Sequence, residues 1–396
     1  MRFKDTINID DLRKAAKRHA PKIVFDFIEG GVEDEAGIGQ NEQAFRDQRL
    51  VPRYAIDVSE RDQTTTLFGR QYSSPFGISP TGLAALFRPG ADLILARAAR
   101  EANVPFIMSG ASTASIEDLA KVAPDHGWYQ LYAAKEKSIS VDMIRRADEA
   151  NLSTLVVTLD VPVHPKRERN VRNGFGRPLK LSLGTKFNAL FHPQWLAGFL
   201  QNGTPMLSNW AQYAPSGSNA DQVADFVSTQ TAAPLSWKDL ERFRELWPRK
   251  MVLKGVLHPD DAVRAADIGV DGLIVSNHGG RQFDRAPTSL EVLPTISRAV
   301  GDRMTLMLDS GVRRGVDAMI ARCYGAQFVF VGRATLYGTV AGGFDGATRA
   351  LSFLRDEIDT NLAQIGCPRF DDLGPEFLMW EDPNDWQRNI RDVRVP

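Results

Sequence analysis

The chain has 396 residues, of which 43% are hydrophobic and 24% charged, and its formal net charge is -1. This composition supports a large core, while the nearly neutral charge, without a basic stretch interleaved with aromatic residues, argues against nucleic acid as a partner. Met1 to Asp11 contain no apolar signal segment and no run of about 18 apolar residues occurs, so we expect a cytoplasmic protein without a membrane-spanning helix.

The N-terminal part of the chain contains signals for small accessory elements. Residues 9–29 have the spacing of two short helices separated by Pro21. Residues 50–75 are rich in threonine and predict a hairpin with its turn at Phe68-Gly69-Arg70. A repeating pattern begins only after these elements.

Eight short apolar segments, separated by amphipathic helical patterns, predict buried strands. Because strands and helices alternate without hairpins, the sheet is predicted to be parallel, and eight units favour closure into a (β/α)8 TIM barrel with no edge strand. We expect one domain over residues 1–396, with the barrel at about 75–365. The predicted strands are Pro75–Ser79, Pro105–Ser109, Trp128–Tyr132, Thr154–Asp160, Met251–Gly255, Gly272–Ser276, Thr305–Asp309 and Phe328–Gly332.

Polar residues recur at the carboxyl ends of these strands or just beyond them. Polar residues placed for structural reasons alone would not keep this phase through the whole repeat. In a barrel these ends converge on one face, where active sites are built, so we expect the functional site there. The set comprises Ser109, Gln130, Tyr132, Thr158, Asp160, Lys254, His278, Asp309 and Arg333.

The strand predicted at Gly272–Ser276 is followed by a polar turn that contains His278 and Arg281. Its two glycines allow a sharp bend or a close approach to a bound molecule. An imidazole can move a proton near neutral pH, and a guanidinium can bind a carboxylate through two hydrogen bonds. The turn therefore predicts a base beside an anion-binding group, although a surface turn that happens to hold a histidine is the alternative.

The loops after the seventh and eighth strands form the usual phosphate site of such barrels. Here they read Asp309-Ser-Gly-Val-Arg313 and Gly332-Arg333, with the glycine N–H groups and arginine charge that a phosphate needs. No dinucleotide fingerprint, P-loop or metal-ligand spacing of histidines occurs. Flavin mononucleotide (FMN) fits better, with Lys254 as a positive charge beside the flavin ring, although a lysine there can also be an ion pair of the barrel interior.

One region interrupts the repeat, and we call it the excursion (about residues 174–235). It is far longer than an ordinary βα loop. No Asp, Glu, Lys or Arg occurs from Phe187 to Ala220, whereas large apolar residues are frequent. Two interpretations stay open: an ordered lid on the barrel mouth, or a surface that docks on a membrane, with Trp195 and Trp210 suited to the interfacial zone.

The segment Ser276-Asn-His-Gly-Gly-Arg-Gln282 resembles the signature of the FMN-dependent L-2-hydroxy acid dehydrogenases and oxidases. The resemblance extends from about Asp11 to Leu373. It implies FMN-dependent oxidation of a lactate- or mandelate-like (S)-2-hydroxy acid to the 2-keto acid. Electrons would then pass to a quinone-type acceptor or, in a soluble oxidase, to oxygen with formation of hydrogen peroxide. Further matching segments are Pro21-Lys-Ile-Val-Phe-Asp-Phe, Pro80-Thr-Gly, Tyr129-Gln-Leu-Tyr, Thr158-Leu-Asp and Asp309-Ser-Gly-Val-Arg.

The resemblance also implies roles for individual residues. His278 corresponds to the base that takes a proton from the substrate, and Asp160 to the carboxylate that pairs with its imidazole. Arg281 and Arg167 would hold the substrate carboxylate, and Tyr132 would hydrogen-bond near the substrate hydroxyl. The residues implied to bind FMN are Pro80, Thr81, Gly82, Ser109, Gln130, Thr158, Lys254 and Ser276 around the ring and ribityl chain, and Asp309, Ser310, Gly311, Val312, Arg313, Gly332 and Arg333 around the phosphate.

Three positions depart from the pattern of the soluble oxidases in the family. Phe25 stands where most members have a tyrosine that helps to bind the carboxylate, so it is expected to make the substrate pocket more apolar. Gly82 stands where those oxidases have alanine. Ala111 stands where glycolate oxidase has tryptophan, which leaves room for a wider substrate. These features resemble the membrane-associated, quinone-linked members, so the expectations include peripheral contact with the inner face of the cell membrane through the excursion, and a homotetramer.

Overall fold

The computed structural model describes residues 1–175 and 182–379. Eight parallel strands form a closed barrel in which the first barrel strand pairs with the last. The predicted (β/α)8 barrel is therefore confirmed, and each predicted strand overlaps an observed one. The strands are β1 (Thr65–Leu67) and β2 (Arg70–Tyr72) of a hairpin, then β3 (Phe76–Ile78), β4 (Phe106–Met108), β5 (Gly127–Leu131), β6 (Thr154–Thr158), β7 (Lys250–Val256), β8 (Gly272–Val275), β9 (Thr305–Leu308) and β10 (Phe328–Val331).

Side chains inside the barrel follow the two-residue period of the strands. Lys254 follows the interior residue Val252 by two positions, and Ser276 follows Ile274 in the same way. The barrel interior therefore has an apolar layer, followed by a polar layer nearer the carboxyl ends of the strands. The apolar layer consists of Ile107, Trp128, Val156, Val252, Ile274, Met307, Phe328 and Phe330, all buried.

The β1–β2 hairpin closes the amino-terminal end of the barrel. Leu67 and Tyr72 belong to the interior apolar cluster, and the Tyr72 ring lies 5.9 Å from that of Phe328 at the start of β10. Phe68, at the hairpin turn, packs 5.7 Å from the ring of Trp128. The predicted hairpin is confirmed, and the polar layer faces the opposite end of the barrel.

Helices surround the barrel and precede it. The two helices predicted on either side of Pro21 are present, whereas α3, α7 and the helices of the excursion, α8 to α11, were not predicted. The helices are α1 (Ile9–His19), α2 (Lys22–Glu29), α3 (Ala36–Arg46), α4 (Ala91–Glu101), α5 (Ile116–Val122), α6 (Lys137–Glu149), α7 (Glu168–Arg172), α8 (Leu183–Leu190), α9 (Pro193–Asn202), α10 (Ser208–Ala211), α11 (Ala220–Gln230), α12 (Trp237–Leu246), α13 (Pro259–Asp267), α14 (Ser289–Val300), α15 (Gly315–Cys323) and α16 (Arg333–Ile365), the last with a kink at Gly343.

The two halves of the excursion, the first with α8 and α9 and the second with α10 and α11, differ in their contacts. In the second half, Trp210 is fully buried and its indole N–H donates a hydrogen bond of 2.7 Å to the Gly110 carbonyl. Of the two interpretations left open for the excursion, the membrane surface therefore does not apply to Trp210. In the first half, five large apolar side chains are between 61% and 84% exposed, and we call them the α8–α9 patch: Leu183, Phe187, Leu190, Phe191 and Leu200.

Trp195 lies at the edge of this first half. It is partly buried, and its indole N–H donates a hydrogen bond of 2.8 Å to the Leu86 carbonyl in the loop after β3. The first half is thereby attached to the barrel at one side while the α8–α9 patch faces outward. Among the residues that the structure describes, no helix combines the length and the apolar character needed to cross a bilayer.

Candidate active site

A cavity of about 740 Å³ lies at the carboxyl ends of the barrel strands. Its volume falls within the range of small-molecule sites, roughly 300–1,000 Å³. Most of the residues predicted for the site share its wall. Those that line it are Pro80, Thr81, Gly82, Ser109, Tyr132, Arg167, Lys254, His278, Arg281, Asp309, Ser310, Gly311, Val312, Arg313, Gly332 and Arg333.

Other predicted residues lie directly behind this wall. The Gln130 amide donates to the Thr158 hydroxyl at 2.6 Å and accepts a hydrogen bond of 3.1 Å from the Gly110 N–H. The Ser276 hydroxyl accepts a hydrogen bond of 2.8 Å from the Lys254 ammonium. These three side chains are buried and orient their neighbours, and their direct contact with FMN stays a prediction.

His278 and Asp160 form a pair at the edge of the cavity. The Nδ1 atom of His278 lies 2.8 Å from a carboxylate oxygen of Asp160, and Nε2 lies 3.4 Å from the Tyr132 hydroxyl. Asp160 has room because Gly255, at φ 97, has no side chain: a Cβ there would lie 2.5 Å from the Asp160 carboxyl carbon. The pair holds the imidazole with Nε2 on the side of Tyr132, which lines the cavity.

Burial determines the protonation of His278. Removal from water lowers the pKa of the imidazole, and this effect outweighs the Asp160 carboxylate, which raises it; Lys254 and Arg167 lower it further. A histidine with a lowered pKa is neutral at neutral pH. A neutral imidazole with its second nitrogen bound to a carboxylate is the form that a general base requires.

Lys254 and Asp309 form a buried ion pair in the polar layer of the barrel. The ammonium lies 3.0 Å from an Asp309 oxygen, which also accepts a hydrogen bond of 2.8 Å from the Ser79 hydroxyl. Burial opposes the charge on both groups, but their mutual attraction prevails, so the pKa of Lys254 is raised and that of Asp309 is lowered. The cavity therefore contains a fixed ammonium group that can stabilise negative charge on a bound molecule.

Three partly buried guanidinium groups, from Arg167, Arg281 and Arg333, line the cavity. Within the described part of the chain no carboxylate lies within 4.0 Å of any of them, and Arg281 and Arg333 donate to backbone carbonyls such as that of Ile28. Burial is the main cause that lowers the pKa of all three groups, and repulsion from a neighbouring guanidinium adds to it: from Arg333 for Arg167 and Arg281, and from Arg313 for Arg333. Clustered guanidiniums with so little compensation fit a ligand with anionic groups, such as a phosphate and a carboxylate.

The prediction for Phe25 requires correction. Phe25 is buried and stacks on Tyr337 with ring centroids 6.5 Å apart, and it is not among the cavity residues. Phe27 lines the cavity instead, with its ring 5.2 Å from the Arg281 guanidinium. The reason is geometric: two positions along an α-helix correspond to about 200°, so Phe25 and Phe27 face opposite sides of α2.

Sequence reasoning also missed the part of the wall that the excursion supplies. His164, in the loop after β6, lies 3.0 Å from the Ser228 carbonyl of α11, so the two segments meet over the cavity. This wall is largely apolar, and no motif in the sequence marked it. The loop after β6 contributes Val161 and His164, and the excursion contributes Phe175, Leu207, Ala224, Val227, Ser228 and Thr231. The second half of the excursion thus corresponds to the lid interpretation.

Comparison with known proteins agrees with this geometry. The family model for FMN-dependent dehydrogenases matches residues 16–380. (S)-Mandelate dehydrogenase from Pseudomonas putida is 40% identical over 374 residues, which are 94% of this chain and 94% of that protein. A peroxisomal (S)-2-hydroxyacid oxidase from Arabidopsis thaliana is 35% identical over 376 residues, 95% of this chain and 97% of that protein.

Solved structures lead to the same family. The crystal structure of a monotopic membrane protein, (S)-mandelate dehydrogenase, matches with a TM-score of 0.91 and 40% identity, and the match covers 95% of this chain and 99% of that one. In the described residues no group of histidine, cysteine and acidic side chains has an arrangement suited to a metal ion. The chain belongs to the family of FMN-dependent dehydrogenases, and its cofactor is FMN.

Proposed function

We propose that this protein oxidises an (S)-2-hydroxy acid to the 2-keto acid and passes the electrons to a quinone-type acceptor. The observation that carries the proposal is the His278–Asp160 pair, 2.8 Å apart, at a cavity lined by partly buried arginines and the buried Lys254. A base, an anion clamp and a fixed positive charge are the groups that oxidation of a carboxylate-bearing alcohol needs.

The residues divide the chemistry among them. When bound, FMN would take up the two electrons and one of the two protons that the substrate loses, and the other proton goes to the protein. His278 takes a proton from the substrate at Nε2, and Asp160 stabilises the resulting imidazolium. Arg281 and Arg167 hold the carboxylate, and Tyr132 hydrogen-bonds to the substrate oxygen. Lys254 keeps a positive charge where electron density accumulates.

The phosphate of FMN is assigned to the loops after β9 and β10. Ser310, Gly311 and Arg313 come from the first loop, and Gly332 and Arg333 from the second, and all five line the cavity. Arg313 also forms an ion pair with Glu42 at 3.2 Å, whereas Arg333 has no such carboxylate partner among the described residues. More of the positive charge of Arg333 is therefore left for the phosphate. Glycine at two of these positions leaves the backbone open to the phosphate oxygens.

We propose that the substrate carries an apolar side chain, larger than a hydrogen atom, on the carbon that bears the hydroxyl. Ala111 and Phe27 lie on the cavity wall, and Leu207 and Val227 extend the apolar surface toward the excursion. A lactate- or mandelate-like acid has a carboxylate for the arginines and an apolar group for this surface. (S)-Mandelate dehydrogenase, named above, acts on such an acid by its description.

The α8–α9 patch supports a second part of the proposal, peripheral binding to the inner face of the cell membrane. Exposed aromatic and aliphatic side chains on short helices can insert at the level of the lipid headgroups. A relative described as a monotopic membrane protein matches this chain over nearly its whole length. We also propose that residues 1–396 act as one domain and that four copies assemble, as the family resemblance implies.

The test replaces the proposed base. His278→Gln is expected to retain FMN and to lose reduction of the flavin by (S)-mandelate or L-lactate, measured anaerobically by absorbance, by at least about a hundredfold. His258→Asn is the matched control, because His258 is an exposed cap of α13 and asparagine can also cap a helix. Ordinary flavin reduction by the His278 variant would overturn the assignment of the base.

A further inference from the structure

The loop that carries His278 has an unusual backbone. His278, Gly279 and Gly280 all have positive φ angles, of 58°, 66° and 72°. Glycine adopts such angles readily, but they are disfavoured for a residue with a side chain, as His278 is. Contacts from outside the loop must therefore hold the imidazole in place.

Asn277, the residue before the base, uses the full hydrogen-bonding capacity of its amide. Its Oδ1 atom accepts from Asn41 Nδ2 at 2.9 Å and from the Gly280 N–H at 3.2 Å. Its Nδ2 atom donates to Asn41 Oδ1 at 2.8 Å and to the Pro287 carbonyl at 3.2 Å. A side-chain amide has two donors and two acceptor sites, so each is occupied, and half of the bonds come from Asn41.

Asn41 belongs to α3, which fits tightly against both loops of the site. A Cβ at Gly280 would lie 2.7 Å from the Ile38 nitrogen, and a Cβ at Gly311 would lie 2.3 Å from the Asn41 carbonyl. Asn41 is 2% and Asn277 4% exposed, so water cannot replace their mutual bonds. The helix α3 therefore connects the loop of the base to the phosphate loop.

We propose that Asn41 is a positioning residue for proton transfer. Its reciprocal amide pair with Asn277 holds His278 in the left-handed conformation, so that Nδ1 keeps its bond to Asp160 and Nε2 stays aimed at the substrate. Asn41 itself does not line the cavity. The inference rests on the proposed function, because it assumes that His278 is the base.

Removal of the Asn41 side chain would leave one donor and one acceptor of Asn277 without a partner in a buried place. The loop then has fewer bonds to oppose its preference for other φ angles. A displacement of about 1 Å between reacting groups can reduce a rate by about a hundredfold. Substrate binding through Arg281 and Arg167 does not depend on the amide pair and should change little.

The first experiment measures the two effects separately in Asn41→Ala. With (S)-mandelate as the substrate, we expect the maximal rate of anaerobic flavin reduction to fall about 10- to 100-fold. The half-saturating concentration should change less than about twofold, and the FMN content and visible spectrum should match the wild type. Gln43→Ala is the matched control: it removes an exposed amide from the same helix, one that bonds to Asp47 at 2.6 Å, and should keep the wild-type rate.

A second variant and a double variant complete the test. Asn41→Asp keeps the size of the side chain but places an acceptor against Asn277 Oδ1, so it should show the same selective loss even if Asn41→Ala folds poorly. If the two asparagines act through one pair, Asn41→Ala combined with Asn277→Ala should be no slower than Asn277→Ala alone. If the rate losses of the two single variants instead multiplied in the double variant, the inference would be overturned.

The outcomes separate this inference from the proposed function. Ordinary flavin reduction by His278→Gln would remove both. A wild-type reduction rate in Asn41→Ala, when His278→Gln is inactive, would remove the positioning role alone. A loss of FMN from Asn41→Ala in proportion to its lost activity would show that Asn41 serves only to maintain the fold, and would also overturn the inference.

Discussion

The protonation of His278 determines the pH range in which the proposed base works. Burial lowers the pKa of His278 below the ordinary histidine value, in spite of the bond to Asp160. The neutral form is therefore present at neutral pH, and protonation occurs only as the pH falls below the ordinary histidine range. We expect the maximal rate of anaerobic flavin reduction to be level around neutral pH and to fall on the acid side. If the rate already declined at a pH above the ordinary histidine range as the pH was lowered, this expectation would be contradicted.

Phe27 provides a test of the substrate pocket. A tyrosine hydroxyl at this position would add a donor beside the Arg281 guanidinium, 5.2 Å from the present ring. A hydrogen bond to a charged group is worth about 1.5 kcal/mol, so Phe27→Tyr should lower the half-saturating concentration of (S)-mandelate roughly tenfold.

Phe25→Tyr is the matched control for this change. The Phe25 ring is buried against Tyr337, away from the cavity, so a hydroxyl there should give no gain in substrate binding. The buried hydroxyl should instead lower the midpoint of thermal unfolding. A gain in binding with Phe25→Tyr and none with Phe27→Tyr would reverse the correction made to the sequence prediction.

At the residue scale, the sequence was most informative where a motif fixed the position. His278, Arg281 and Asp309 were found because they lie at or just beyond the ends of predicted strands, and strand ends converge in a barrel. The choice between Phe25 and Phe27 could not be made in this way. Both belong to one segment of α2, and only the rotation of the helix on the barrel determines which of them faces the cavity.

At the scale of elements, the two halves of the excursion have different surroundings. Its second half, α10 and α11, borders the cavity and is attached through the buried Trp210. Its first half presents the α8–α9 patch. The two interpretations of the sequence therefore apply to different segments, the lid to one and the membrane surface to the other, the latter as a proposal.

Substitutions in the α8–α9 patch test the membrane surface without touching the cavity. Phe187 and Phe191 contact each other, with ring centroids 5.1 Å apart, and both are exposed. Burial of one such side chain is worth about 1.5–3 kcal/mol, so replacing both with aspartate should weaken binding to phosphatidylcholine vesicles at least roughly tenfold. FMN content should not change.

Tyr54→Asp is the control for the vesicle experiment, since Tyr54 is an 80% exposed aromatic residue outside the patch. Co-sedimentation with the vesicles measures binding for each variant. Equal sedimentation of the patch variant, the control and the wild type would contradict a membrane role for α8 and α9.

The reason why the helix α3 was not predicted can be identified. The helix α3 contains Gly37 and Gly39, which disfavour helix, and it begins after Glu35 in a left-handed conformation without a side-chain cap. Tertiary contacts with the loops at Gly280 and Gly311 stabilise it. The strands were predictable because the alternation of strand and helix repeats through the chain, whereas α3 occurs once and depends on partners far away in sequence.

At the scale of the whole molecule, the electron acceptor distinguishes the two enzyme classes in the family. We expect the reduced enzyme to reduce an artificial dye acceptor much faster than oxygen. Hydrogen peroxide and dye reduction are measured in parallel with (S)-mandelate as the electron donor. Rapid formation of one peroxide per substrate consumed would instead favour the soluble oxidase and argue against a quinone-type acceptor.

The hairpin that fills the amino-terminal end of the barrel makes the molecule one-sided. With Tyr72 and Phe68 packed into that end, the cavity is approached from the face that carries the excursion. The hydroxy acid, the keto acid and the electron acceptor must therefore all enter and leave through the same opening. We expect the keto acid to leave before the acceptor binds, which is a ping-pong scheme, so double-reciprocal plots at several acceptor concentrations should give parallel lines.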